Sequence, residues 1–134
     1  MMETLKSQLK RMEGLSLTPY RCPAGYWSLG FGHRMPDGGI SISHQVAGLI
    51  LDEDIDKATF EYLSLGWELG PVRKNVVIHM IFWMGMRGFL RFKKCIAAIE
   101  KEDWQEAADE MLDSQAGRNY TTRMTELADL MRDG

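Results

Sequence analysis

The chain has 134 residues, enough for one continuous core, and its 45% apolar and 26% charged content is that of a soluble globular protein, which excludes disorder and low complexity. The formal net charge of −3 offers no basic footprint of the kind nucleic acid selects, so no nucleic-acid partner is expected. No window reaches the roughly 18 uninterrupted apolar residues of a membrane span, so no stable membrane insertion is expected either.

Leu5, Leu9 and Met12 recur at helical spacing, and Gly14 stands where that helix would stop, leaving Glu13 at its C-terminal end. The same stretch alternates apolar and charged residues and carries no secretory core, so synthesis in the cytoplasm is expected, with export by a route the sequence does not encode. From Leu15 to Ile40, glycines, prolines and aromatics cluster. Cys22-Pro23-Ala24-Gly25 fits a turn with proline at its second position, between short strands at Thr18–Arg21 and Tyr26–Gly32.

Helical periodicity returns after Ser43, where Ala47, Leu51, Ile55 and Ala58 share a face. Pro71 can open the next helix without losing a hydrogen bond. Val76 to Met84 is apolar nearly all round, as in a helix buried within a bundle. Asp103 and Glu106 have capping-box spacing ahead of Trp104, Ala107, Ala108 and Met111, and Met124, Leu127, Ala128 and Met131 stripe the last helix. The methionines are expected to fill core gaps.

This order predicts an α+β, mainly α chain forming a single domain over 1–134. A hairpin lobe at about 14–42 and a helical lobe at about 60–134 plus the N-terminal helix would flank a substrate cleft, joined by the long helix from about Ser43. Cys22 and Cys95 lack C-x-x-C spacing, and His33, His44 and His79 are scattered, so free thiols, no metal and no cofactor are expected.

Glu13 is followed nine residues later by Cys22 and six after that by Ser28. Glycoside hydrolysis needs a proton for the leaving oxygen and help for water on the other face of the sugar, and a glutamic acid among apolar neighbours can supply the first. By themselves these residues fit an ordinary surface charge at a helix end better than a catalytic site.

The run Glu13-Gly14-Leu15, Tyr20, Cys22 and Gly25-Tyr26-Trp27-Ser28-Leu29-Gly30-Phe31-Gly32-His33 closely resembles the active-site segment of phage lysozymes, the endolysins of glycoside hydrolase family 24. Their pattern is a Glu, an Asp or Cys nine residues on, then a Thr after six more, leading into Gly-x-Gly-His. A second stretch, Val77 to Gly85 followed by Gly88 and Phe92, is similar to the family's central buried helix, and Trp104–Ala108 and Thr121-Thr122-Arg123 are similar to its C-terminal part.

The resemblance implies a lysozyme-like fold and a monomeric muramidase that acts on peptidoglycan glycan strands during host lysis. Glu13 would protonate the oxygen between N-acetylmuramate and N-acetylglucosamine, Cys22 would take the place of the general base or electrostatic stabiliser, and Ser28 would hold the attacking water. It further implies that Arg34, Phe82, Cys95 and Glu110 line the saccharide cleft, that His33 pairs with Asp54, and that Arg123 pairs with Glu13.

The departures bear on chemistry. A thiol ionises near about 8.5 against about 3.9 for Asp, so Cys22 reads as a base, a nucleophile, a neutral group shaping the water site, or a small buried hydrophobe. Ser28 keeps the hydroxyl of Thr without the methyl that restricts its rotamer. His79 and Trp83 stand where the T-even enzyme has amides, and Met35-Pro36-Asp37-Gly38-Gly39 reads as a bare turn where that enzyme has more hairpin. Three outcomes follow: a hydrolytic muramidase, a lytic transglycosylase that needs only the one acid, or a wall-binding module with a decayed site.

Overall fold

The computed structural model describes residues 3–36 and 39–134, so Asp37 and Gly38 of the expected bare turn lie outside the described residues. It is α+β and mainly α, with a small three-stranded antiparallel sheet. The chain divides into two compact units, Met1–His44 and Gln45–Gly134.

The first unit opens with helix α1, Leu5–Glu13, where the Thr4 hydroxyl accepts from the Ser7 N–H at 3.1 Å and so caps the N-terminus. Gly14 ends the helix at φ 71°, its N–H donating to the Lys10 carbonyl at 3.0 Å. Strands β1 (Ser16–Arg21), β2 (Trp27–Gly30) and β3 (His33–Arg34) follow in that spatial order. Tyr20 faces Ser28 across β1 and β2, and Ser28 faces Arg34 across β2 and β3. The β1–β2 register is irregular between Ser16 and Tyr20, a stretch containing Pro19, which has no N–H for a ladder and is tolerated on this edge strand.

The expected strand Tyr26–Gly32 is corrected to the shorter β2, Trp27–Gly30, and an unexpected strand, β3, follows at His33–Arg34. Gly30 and Gly32 take φ of 70° and 71°, a left-handed backbone that ends one strand and starts the next. The expected turn is present: the Gly25 N–H donates to the Cys22 carbonyl at 2.9 Å, and the Cys22 N–H to the Tyr26 carbonyl at 2.8 Å.

The second unit is helical, with α2 (His44–Leu63) entering it and α3 (Pro71–Leu90), α4 (Lys93–Glu100), α5 (Trp104–Leu112), α6 (Gln115–Asn119) and α7 (Thr121–Asp133) completing it. Pro71 opens α3, and the Asp103 carboxylate accepts from the Glu106 N–H at 3.2 Å to cap α5. Phe89, Met80, Ile81, Met111, Met124 and Met131 are fully buried, so four methionines fill the centre of this core. The Arg73 guanidinium lies 4.0 Å from the Trp104 ring and donates to the last carbonyls of α7, Met131 at 2.7 Å and Arg132 at 3.0 Å.

Three expectations change here. Of the α2 stripe only Ala58 is buried, joined by Tyr62, while Leu51 and Ile55 are exposed. Val76, Val77, Met80 and Ile81 are buried as expected, but Phe82 is 42% exposed. The apolar run in α3 is broken by Gly85 at φ 76°, ψ 163°, where the helix kinks.

Candidate active site

The first unit brings Glu13, Cys22, Ser28 and Arg34 onto one helix end and one small sheet. Glu13 is the last residue of α1 and borders a hollow of about 240 Å³ that it shares with Gly14, Leu15, Ser16 and Tyr20. Its carboxyl lies against Gly32: a methyl group there would stand 2.6 Å from Glu13 Oε2. Ser28, on the middle strand, is 4% exposed, the one buried polar or charged side chain among the described residues.

Burial of the Cys22 sulfur works against ionisation, but the backbone N–H groups of Tyr26, Ala24 and Gly25 and the Ser28 hydroxyl outweigh it and hold the thiol below its usual range. Arg34, on β3, stacks its guanidinium 3.5 Å from the Tyr26 ring centroid. His33 opens β3 opposite Leu29.

The second unit carries the other predicted residues. Cys95 and Glu110 line a common hollow of about 680 Å³, whereas Phe82 is not among its walls. The Cys95 thiol is pushed up to about 12 by burial and by the neighbouring Glu110 charge, so it is neutral at any physiological pH. Arg91, Lys93 and Lys94 stand on the same wall. Trp83 and Tyr120 add an aromatic side, their rings edge to face at 5.5 Å. Sequence reasoning missed Tyr120, because an aromatic between two helices looks like any loop residue.

Arg123 is held within this unit. Its Nε donates to His79 Nε2 at 3.1 Å, and its guanidinium lies 4.1 Å from the Trp83 ring centroid. Partial burial and the Arg123 charge lower the His79 pKa, with Glu126 opposing, so His79 stays neutral and able to accept that bond. Both residues that replace amides of the T-even enzyme thus hold one arginine. Asp54 is exposed on α2. Among the described residues no group of three or more His, Cys, Asp or Glu is placed to hold a metal ion, and no helix is long and apolar enough to cross a membrane.

A family model described as phage lysozyme matches residues 10–126, nearly the whole chain. The chain belongs to the phage lysozyme family. Among curated relatives of this phage lysozyme, one named probable T4-type lysozyme 1, from Dictyostelium discoideum, is 26% identical over an alignment covering 100% of this chain and 96% of the relative. A second from that organism, probable T4-type lysozyme 2, is 26% identical over 85% of each chain. A protein named endolysin, from Acyrthosiphon pisum secondary endosymbiont phage 1, is 34% identical over 60% of this chain and 57% of its own length. The matched region contains Glu13, Cys22, Ser28, Phe82, Cys95, Glu110 and Arg123.

Proposed function

We propose that this phage lysozyme is a muramidase that hydrolyses the β-1,4 bond between N-acetylmuramate and N-acetylglucosamine in peptidoglycan. Glu13 donates its proton to the glycosidic oxygen as the bond from the muramate C1 to that oxygen breaks. Water attacks C1 from the opposite face, held by the Ser28 hydroxyl, and its proton passes to the Cys22 thiolate, giving inversion.

The observation that carries this reading is that one unit holds Glu13 at the end of α1, beside a hollow, together with the buried Ser28 and the Cys22 turn on the small sheet. On this reading Cys22, its thiol pKa lowered, takes the role that a carboxylate has in relatives with Asp. The protein then acts as a monomer, and Arg34, Phe82 and Glu110 contact the glycan strand. The protein is made in the host cytoplasm and reaches the wall at lysis.

Clearing of outer-membrane-permeabilised cells tests the assignment. Glu13→Gln abolishes clearing and Cys22→Ala slows it strongly, while reducing-end analysis of the digest finds hemiacetal muramate. Full activity of Glu13→Gln ends the proposal. Because Cys22 replaces a carboxylate, lytic transglycosylation is the second reading. Its product is an anhydro-muramate end lighter by one water, which mass spectrometry of the same digest separates.

A further inference from the structure

The seat of the acid is built from the turn joining β2 and β3, and two side chains one turn apart on α1 grip it. The Lys10 ammonium stands 5.2 Å from the centroid of the Phe31 ring. Three residues on, the Glu13 carboxyl presses on Gly32, so that a methyl at Gly32 would lie 2.6 Å from Oε2, 2.9 Å from Cδ and 3.1 Å from Cγ. The colliding atoms belong to a flexible, exposed side chain, so a methyl at Gly32 displaces the carboxyl rather than the backbone. Glu13 also lines the 240 Å³ hollow.

We propose that Gly32 is a positioning residue for Glu13: the missing side chain lets the carboxyl settle against the β2–β3 turn, and that backing fixes how far the acid reaches into the hollow. The inference rests on Glu13 being the acid, but the placement itself can be tested without activity. Two demands fall on Gly32 at once. Its φ of 71° favours glycine for backbone reasons, and its α-carbon must stay bare for Glu13. Gly30 separates the two. It has nearly the same φ, 70°, two residues away in the same turn, and a methyl there meets nothing within 4 Å. Alanine at Gly30 therefore carries the backbone strain alone, and alanine at Gly32 carries the strain and the collision.

A carboxyl pushed back by about 1 Å costs up to a hundredfold in rate, because proton transfer depends on a placed donor. Gly32→Ala should thus lower kcat ten- to a hundredfold with KM changed less than threefold. Gly30→Ala should lower kcat less.

Two measurements need no turnover. In protein labelled with ¹³C at glutamate carboxyls, the Glu13 resonance shifts in Gly32→Ala and not in Gly30→Ala. In a Glu13→Ala background, where the side chain that collides is gone, Gly32→Ala lowers Tm no more than Gly30→Ala does, whereas in the parent it lowers Tm further. This cycle also serves if Gly32→Ala alone does not fold, since the double variant then recovers folding. Equal effects of the two alanines in the parent, or an unmoved Glu13 resonance in Gly32→Ala, overturn the proposal. If Glu13→Gln keeps full activity while the resonance and the Tm cycle behave as stated, the seat exists and the acid reading fails, so the two failures are told apart.

Discussion

The two units of this phage lysozyme hold their important residues by different means. In the helical unit a side chain's place is set by volume: Phe89, Met80, Met111, Met124 and Met131 are fully buried and touch many neighbours. In the sheet unit it is set by backbone. Cys22 is fixed by the backbone hydrogen bonds of its own turn, Glu13 by a bare α-carbon, and Ser28 by strands on both sides. Packing tolerates exchange among apolar residues of similar size, whereas a tight turn or a bare α-carbon accepts few alternatives. Short-range geometry therefore sits where the chemistry is proposed, and bulk sits where stability is needed.

Changes that cross this division separate activity from stability. The largest effect is expected for Glu13→Gln, a loss of about 10²–10⁴ in rate, with a Tm within a degree or two of the parent since the side chain is exposed. Clearing assays and calorimetry on one preparation check both halves. Phe89→Ala should do the reverse, costing about 3–5 kcal/mol in urea unfolding while the folded fraction keeps its specific activity, because Phe89 is fully buried in the other unit.

Gly117→Ala sharpens the contrast from inside the helical unit. A methyl there would lie 2.5 Å from the Leu112 carbonyl oxygen and 2.6 Å from that of Met111, and backbone cannot swing aside as a long side chain can. A loss of about 1–3 kcal/mol is expected, read by the same unfolding titration.

Iodoacetamide should alkylate Cys22 well before Cys95 near neutral pH, as followed by peptide mass spectrometry. One thiol has a lowered pKa and is partly accessible; the other is buried and pushed up to about 12. Ser28→Ala, by removing one of the four donors to the sulfur, should slow the Cys22 reaction.

The smallest effect concerns acid. The folded-state pKa of His79 lies below its unfolded value of about 6.5, so the unfolded chain takes up the proton first. The stabilisation is complete above about pH 6.5 and is lost as pH falls from there through the lowered folded value. Protonation also removes the acceptor for Arg123. His79→Gln should flatten that part of a Tm-against-pH curve.

What the sequence revealed divides along the same line. Helix ends marked by single residues were legible: Gly14 stops α1, Pro71 starts α3 and Asp103 caps α5. So was the buried stripe of α7. The two-residue β3 is too short to show alternation, and α6, five residues long, too short to show a helical period. Helix α4 was not separated from the apolar run before it, because Arg91 and Phe92 carry no strong breaker.

In the site, the resemblance supplied Glu13, Cys22 and Ser28 as candidates. It could not supply the lowered thiol pKa of Cys22, since backbone N–H groups have no letter in the code. The approach of Glu13 to Gly32 was equally hidden, because it depends on how a helix end meets a turn nineteen residues later. Cys95 and Glu110 do share a hollow, but its aromatic side, Trp83 with Tyr120, required the fold.

Arg73 links the first turn of α3 to carbonyls 58 and 59 residues further along. On a translating ribosome, that guanidinium waits for its acceptors until the last helix has emerged. Optical-tweezers or pulse-labelling experiments on stalled nascent chains should then find the helical unit open until α7 is clear of the exit tunnel, and closing in one step afterwards.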